Sequence, residues 1–163
     1  MIRVQEAPFD VGAELAALTA GRTDIGALAS FVGLVRDHAG EQAIGAQTIG
    51  AQTIGAMTLE HYPGMTEKKL AEIEAEARAR WPLQDSLIVH RYGRMLPGEP
   101  IVLVATAAQH RAAALEACAF LIDWLKTEAP FWKLEEAPGD AGMEARWVEA
   151  READDRAAAR WRR

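Results

Sequence analysis

The chain has 163 residues, half of them hydrophobic and 26% charged, and its formal net charge at pH 7 is −6. This length predicts one domain whose core needs neither disulfides nor a structural metal, and the acidic balance argues against a general nucleic-acid-binding protein, which depends on neutralising phosphates. Because no apolar run could cross a bilayer, no signal-peptide pattern opens the chain and there is a single cysteine, we expect a cytoplasmic protein.

The first half of the chain is predicted to mix short strands with two helices. The expected elements are a strand over 2–7, a helix over 11–20, a largely buried strand over 25–36, a strand over 58–61 and a helix over 66–80. Thr66 is the expected N-cap of the second helix, and Pro82 prevents its continuation. One apolar stripe on that helix contains Leu70, Ile73, Ala77 and Trp81.

The second half continues with more strands and one long helix. The expected elements are strands over 86–92 and 101–107 joined by a turn at 96–99, a helix over 111–127, strands over 131–136 and 146–149, and a helix or frayed tail over 154–163. Residues 160–163 read most simply as a solvated tail. Because strands and helices do not alternate strictly, an α+β fold is favoured over a doubly wound sheet.

A five-residue repeat interrupts the first half. Ile-Gly-Ala-Gln-Thr occurs at 44–48 and 49–53, and a close variant follows at 54–58. Since side chains alternate faces along a strand with period two, repeats of five cannot place all three isoleucines against one core. We expect one copy to complete a strand and the other ten residues to form a loop or an extra hairpin. Lengthening the connection in this way costs under about 1 kcal/mol of closure entropy.

Basic side chains are concentrated around the predicted helix over 111–127. His110 and Arg111 open it, Lys126 lies in its last turn and Lys133 follows one strand later. Free amide groups and the helix dipole favour an anion near His110 and Arg111, and Arg36 and Arg146 add charge near strand ends. The pattern predicts a site for a small anion. Alternatively, His110 and Arg111 are surface residues that bind no ligand, and Lys126 is a surface lysine whose aliphatic part packs along the helix.

Other candidate groups point away from metal and cysteine chemistry. Leu115, Cys118, Ile122 and Leu125 fall on one apolar stripe, so Cys118 is expected to be a buried core residue rather than a nucleophile. His38, His61 and His90 have no partners at metal-ligand spacing. The chain contains no phosphate-loop, dinucleotide or nucleophile-elbow motif. A persulfide sulfurtransferase acting through Cys118 is therefore disfavoured.

Several motifs in the same order resemble the family of molybdopterin synthase catalytic (large) subunits. They lie at 35–38, 58–65, 110–111, 125–127, 129–133 and 146–150. The resemblance implies a hammerhead-type α+β fold, a single catalytic-subunit domain over 1–163 with 44–53 as a tandem insertion and 151–163 as a tail, and a homodimer that binds a small ubiquitin-like sulfur carrier at each end. The implied reaction moves two sulfurs from the carrier's thiocarboxylated C-terminal glycine to cyclic pyranopterin monophosphate, forming the molybdopterin dithiolene. It implies no resident cofactor or metal.

The resemblance also assigns roles to individual residues. Lys126 and Lys133 match the catalytic lysines. Both lysines also match substrate-binding positions of the family. The other residues that match such positions are Leu34, Val35, Arg36, His110, Arg111, Leu134, Glu135 and Arg146. Many relatives carry lysine where this chain has Leu34, and a basic residue is common where it has Leu134. An alternative function is a dimeric binding subunit that docks the carrier but is catalytically disabled by the repeat.

The length of the helix over 111–127 predicts a site shared between two chains. Arg111 and Lys126 are about 22 Å apart along a helix axis, which is too far for one pterin monophosphate to bridge. We therefore expect each site to take His110 and Arg111 from one subunit and Lys126 and Lys133 from the other.

Overall fold

A computed structural model describes residues 1–39, 52–139, 142–148 and 152–162. In chain order its elements are β1 (Ile2–Gln5), α1 (Val11–Thr19), β2 (Ala27–Leu34), β3 (His38–Ala39), β4 (Gln52–Thr53), β5 (Ala56–His61), α2 (Met65–Arg80), β6 (Leu83–Arg91), β7 (Gly93–Met95), β8 (Pro100–Ala108), α3 (Arg111–Glu128), β9 (Phe131–Gly139), β10 (Gly142–Val148) and α4 (Glu152–Ala159). None of the helices in these ranges is long and apolar enough to span a membrane.

Two four-stranded sheets organise the fold. The first has the order β1-β6-β8-β2 and the second the order β10-β9-β5-β7, while β3 and β4 form a separate short pair. Strands β1 and β6 run parallel, and the other described pairs are antiparallel. This mixed arrangement of helices and sheets confirms the predicted α+β class.

Helices cover both faces of the first sheet. On one face α2 and α3 enclose the largest apolar cluster, which includes the fully buried Leu70, Ile88 and Phe120. On the other face α1 packs over a smaller cluster that contains Val89 and Leu103. A third cluster, Val35, Met57, Leu59 and Met95, joins the end of β2 to the second sheet. The core therefore fixes how the two sheets meet.

Helix α2 confirms the predicted stripe and corrects its predicted start. Leu70, Ile73 and Ala77 are buried, as expected. Thr66 is not the N-cap: Gly64 takes that position with a φ of 81°, and the Glu67 carboxylate accepts a hydrogen bond from its N–H. A glycine reaches this left-handed conformation without steric cost. Thr66 instead lies buried within the helix, where its hydroxyl donates to the Tyr62 carbonyl.

Three further predictions about burial are wrong. Only Ala29 is buried in β2, because this strand lies at the edge of its sheet. Leu115 is 60% exposed, although Cys118, Ile122 and Leu125 on the predicted stripe of α3 are buried. Trp161 is not part of a solvated tail: its ring packs edge-on against Trp81 and Phe120.

The repeat is described only in part. Its third copy, 54–58, begins with the buried Ile54 and leads into β5, which confirms that one copy completes a strand. Residues 52–53 at the end of the second copy form β4, which pairs with β3. The predicted extra loop or hairpin otherwise falls on residues 44–51, which lie outside the described residues.

Candidate functional site

The two candidate lysines lie on consecutive elements, Lys126 on helix α3 and Lys133 on strand β9. The helix ends at Glu128, and the N–H of its C-cap residue Ala129 donates to the Leu125 carbonyl. Pro130, which lacks an N–H, then separates the helix from β9. Lys126 therefore lies in the last turn of α3 and Lys133 three residues into the strand.

Lys133 forms an ion pair with Glu135 on the same strand. Residues two apart on a strand share a face, and this face points inward: Lys133 lies opposite Leu59 and Glu135 opposite Met57 on β5. The Glu135 side chain is 6% exposed and that of Lys133 is 31% exposed. The buried carboxylate thus holds the ammonium group at the boundary between core and solvent.

Arg146 shares this face of the second sheet, but Leu134 does not. Arg146 on β10 is in register with Glu135, so both side chains lie on one side of the sheet. Leu134 falls between Lys133 and Glu135 and points to the other face, where it is in register with Thr58 and Trp147. The structure therefore groups Lys133, Glu135 and Arg146 and places the Leu134 side chain apart from them.

The end of β2 approaches the same region through the core. Val35 is buried in the cluster that contains Leu59, the cross-strand neighbour of Lys133. Its N–H donates to the Glu99 carbonyl over 3.0 Å, and its own carbonyl accepts from the Gly98 N–H over 2.8 Å. These contacts fix the backbone at Val35. The residues on either side of it, Leu34 and Arg36, are exposed.

His110 and Arg111 lie at the opposite end of α3 from Lys126. His110 is the N-cap residue, its backbone is extended, and its side chain makes no capping hydrogen bond. Both side chains are exposed. Because α3 is one continuous helix from Arg111 to Glu128, the separation of about 22 Å predicted from the sequence holds within one chain. A single subunit does not bring these residues to the lysines.

Sequence reasoning missed an acidic partner of Lys126. The Asp154 carboxylate on α4 lies 3.7 Å from the Lys126 ammonium. Helix α4 is held against α3 by Trp161, whose indole N–H donates to Asp123 over 2.8 Å. Asp154 is 28 positions from Lys126 in the sequence, and no local spacing marks the pair.

A cluster of rings around the buried His90, beneath the start of β9, was also missed. The His90 ring stacks on Phe131 with a centroid distance of 3.7 Å, and His61 lies 4.6 Å from Tyr92. Burial lowers the pKa of His90 to about 4. The His90 Nδ1 lies 2.9 Å from the Arg91 carbonyl, and since a carbonyl only accepts, this nitrogen carries the proton. The stacking of His90 on Phe131 therefore joins the two sheets at a point two residues before Lys133 on β9.

Cys118 is confirmed as a core residue. It is 7% exposed, and burial raises the pKa of its thiol to about 11. A thiol with this pKa is almost entirely protonated at neutral pH, whereas the thiolate is the nucleophile. Cys118 is therefore unsuited to carrying sulfur as a persulfide.

The arrangement suits the binding of anions next to a proton-transferring amine. Lys133 and Arg146, on one sheet face, can offset the charge of negative groups that would otherwise repel each other, and Lys126 adds a further cation at the end of α3. A carboxylate partner orients each ammonium without a covalent bond, so an incoming anion can replace it. The described residues contain no cluster of His, Cys, Asp and Glu side chains that could hold a metal ion.

Comparison with known proteins finds relatives that match nearly the whole chain. The family model described as MoaE protein matches residues 4–128. The molybdopterin synthase catalytic subunit of Ralstonia nicotianae is 53% identical over 160 residues, which covers 98% of this chain and 83% of that protein. The solved MoaE protein from Burkholderia ambifaria, named for molybdopterin biosynthesis, has a TM-score of 0.77 at 53% identity and covers 99% of this chain and 97% of that one.

A more distant structure extends the likeness in fold. The complex of subunits 1 and 2 of molybdopterin-converting factor from Helicobacter pylori contains a chain with a TM-score of 0.66 at 20% identity, covering 93% of this chain and 90% of that one. At this identity the likeness shows the fold alone. From the family model and the near relatives, the chain belongs to the MoaE family, whose matching curated members are molybdopterin synthase catalytic subunits.

Proposed function

We propose that this chain is the catalytic subunit of a molybdopterin synthase, a sulfurtransferase of molybdenum cofactor biosynthesis. It transfers sulfur from a thiocarboxylated small carrier subunit to cyclic pyranopterin monophosphate and so builds the molybdopterin dithiolene. The observation that carries this proposal is the match, over 98% of the chain, to relatives named as that subunit. The grouping of Lys133, Glu135 and Arg146 on one sheet face supports it.

Lys126 and Lys133 are the proposed catalytic residues. A thiocarboxylate and a cyclic phosphate are both anions, and fixed ammonium groups offset their repulsion as they approach. A lysine can also transfer protons as sulfur adds to the pterin side chain and oxygen leaves. Each delivery replaces the sulfur of the carrier's C-terminal thiocarboxylate with oxygen. The proposal needs no resident cofactor.

The remaining residues bind and orient the substrate. Arg36, His110, Arg111 and Arg146 are proposed to contact its anionic groups, and Glu135 positions Lys133. Val35 and the backbone at Leu34 and Leu134 line the approach; the side chain of Leu134 faces away from Lys133. This division follows the side-chain types, since guanidinium groups bind phosphate through paired hydrogen bonds.

The partners are a second copy of this chain and a small sulfur-carrier subunit. The Helicobacter pylori relative was solved as a complex of two different subunits, and the separation of Arg111 from Lys126 within α3 supports a site completed by a second catalytic subunit. A homodimer with one carrier at each end, a heterotetramer, satisfies both observations. The single, buried cysteine fits a cytoplasmic location.

A single-turnover assay tests the function directly. Purified chain and thiocarboxylated carrier are mixed with cyclic pyranopterin monophosphate, and molybdopterin is measured beside a variant lacking residues 44–53. We expect product from the full chain. A dimer that binds carrier yet yields no product, while the shortened variant does yield it, would instead identify the disabled binding subunit.

Mixing two inactive variants tests the shared site. His110→Ala and Lys126→Ala are each expected to be inactive as homodimers, and subunit exchange creates hybrids with one intact site. In a statistical mixture half of the dimers are hybrids, so about a quarter of wild-type activity should return. Verified exchange without any recovery would show that one chain supplies the whole site.

A further inference from the structure

We propose that Gly26 and Thr106 are positioning residues for the start of helix α3. They act through the backbone and hold in place His110 and Arg111, two of the residues proposed to bind substrate. Gly26 sets the path of the two-residue connection between β8 and α3, and Thr106 fastens the first turns of α3 to the sheet. The inference rests on the proposed function in one respect only, the binding of the pterin's anionic groups by this pair.

Helix α3 by itself holds His110 only loosely. His110 is the N-cap residue, but its side chain makes no capping hydrogen bond. Its carbonyl accepts from the Ala114 N–H over 3.4 Å, which is longer than an ordinary backbone hydrogen bond of about 2.9 Å. His110 and Arg111 are both exposed, so the core does not fix their side chains. The position of the pair therefore depends on contacts from the segments around it.

Gly26 supplies the first of these contacts. It directly precedes β2, and its N–H donates to the Ala108 carbonyl at the end of β8 over 3.1 Å. This bond brings the Gly26 Cα against the backbone of Gln109. A Cβ atom at position 26 would overlap the Gln109 carbonyl oxygen and lie 3.3 Å from the carbonyl carbon. Only a residue without a side chain therefore leaves the Gln109 carbonyl where it is.

A side chain at position 26 would displace the residue that precedes His110. Because an ordinary contact between a carbon atom and a carbonyl oxygen is at least about 3.3 Å, the Gln109 carbonyl would have to shift by about 1 Å. A carbonyl moves only with its planar peptide group, and this group also contains the N–H and Cα of His110. Misplacing a binding group by about 1 Å can cost up to about 100-fold in rate. Gly26 is thus coupled sterically to His110.

Thr106 supplies the second contact, from within the core. It is fully buried on β8, and its hydroxyl donates to the Ala114 carbonyl over 2.7 Å. Since Ala114 lies in the first turns of α3 and is itself buried, this bond fastens the start of the helix to the strand beneath it. The two contacts, at 109 and 114, lie on either side of His110 and Arg111. Together they set the position and the direction of this short stretch.

Gly26→Ala tests the first contact, with Gly21→Ala as the matched control. Gly21 has a φ of 68° and nothing within 4 Å of an added Cβ, so its replacement strains the backbone beyond α1 without a clash. By equilibrium dialysis of the intact chain, we expect the Kd for cyclic pyranopterin monophosphate to rise at least about tenfold in Gly26→Ala and by less than about twofold in Gly21→Ala. Equal effects in the two folded variants would overturn the proposal.

A double-mutant cycle separates positioning from general damage to the protein. If Gly26 acts through His110 and Arg111, Gly26→Ala should weaken binding by less than about a further twofold in a His110→Ala/Arg111→Ala background. A defect elsewhere in the chain would instead weaken binding by the same factor in both backgrounds. Additive effects would therefore refute the coupling.

Thr106→Val and Thr106→Ser test the second contact, and they keep the test conclusive if Gly26→Ala does not fold. Valine keeps the shape of threonine and loses the donor, whereas serine keeps the hydroxyl and loses a methyl group. We expect Thr106→Val to weaken pterin binding by about fivefold and Thr106→Ser by less than about twofold. Equal binding by the two variants would show that the hydroxyl does not position the helix.

A crystal structure of Gly26→Ala gives a readout that does not depend on the proposed function. We expect the Gln109 carbonyl and the His110 backbone to be displaced by about 1 Å, while the Lys133–Glu135 pair keeps its place. An undisplaced His110 would overturn the proposal, whatever the chain binds. A wild-type chain that binds no pterin, together with a displaced His110 in the variant, would refute the proposed function alone.

Discussion

The Lys133–Glu135 pair shows how one residue can serve both stability and chemistry. The Glu135 carboxylate is almost fully buried, and a buried charge is costly unless an opposite charge and hydrogen bonds compensate it. Lys133 supplies that compensation from the same strand. Lys133 therefore allows the Glu135 carboxylate to be buried, and that carboxylate in turn orients the Lys133 ammonium group.

Lys133→Met should separate these two roles. The variant leaves Glu135 buried without its partner, so we expect unfolding free energy to fall by about 2–4 kcal/mol, measured by denaturant titration. Lys133→Met/Glu135→Gln removes both charges and should recover most of this loss. Sulfur transfer should stay at least ~100-fold below wild type in both variants. Equal stability of Lys133→Met and wild type would show that the pair does not compensate the buried charge.

Helix α4 has a defined place in the fold at the scale of whole elements. Trp161 packs among Trp81 and Phe120, and the Asp123 carboxylate accepts hydrogen bonds from the Trp161 indole and the Arg160 guanidinium. The buried Ala158 completes the contact with the core. This anchor brings Asp154 to Lys126, so the C-terminal helix belongs to the structural support of the site.

Trp161→Ala should weaken the whole chain, whereas Trp147→Ala should not. Removing the packed indole creates a cavity and removes one of the two hydrogen bonds to Asp123, so we expect a loss of about 2–3 kcal/mol of unfolding free energy. Trp147 is 53% exposed on the outer face of the second sheet, and its removal should cost under about 1 kcal/mol. Chemical denaturation of both variants checks the difference. Similar losses for the two would place α4 outside the cooperative core.

At the scale of the whole molecule, the two sheets meet through a cluster of rings around a buried histidine, His90. His90 on β6 stacks on Phe131 of β9, and His61 on β5 packs beside Tyr92. Burial, together with the nearby His61, lowers the pKa of His90 from 6.5 to about 4. The folded state therefore excludes a proton that the unfolded chain would bind.

Acid should therefore destabilise the fold in a defined window. Because the unfolded state binds more protons than the folded state between pH 6.5 and 4, this contribution is fully present above about pH 6.5 and is lost as pH falls to about 4. Its size is on the order of 3 kcal/mol. His90→Asn should flatten the pH dependence of unfolding free energy in this window. An unaltered pH profile in His90→Asn would assign the acid sensitivity to other groups.

The sequence alone determined the α+β class and the bounds of most helices and strands to within a few residues, and it supplied the cations that are proposed for the site. These features follow from local rules: side-chain periodicity, the position of proline, and motifs of fixed spacing. It did not reveal that β2 is an edge strand, that Leu115 is exposed, that Trp161 packs in the core, or that Glu135 and Asp154 face the two lysines. Those facts depend on which distant segments meet, and the tertiary structure decides them because burial and ion pairing are set by neighbours in space.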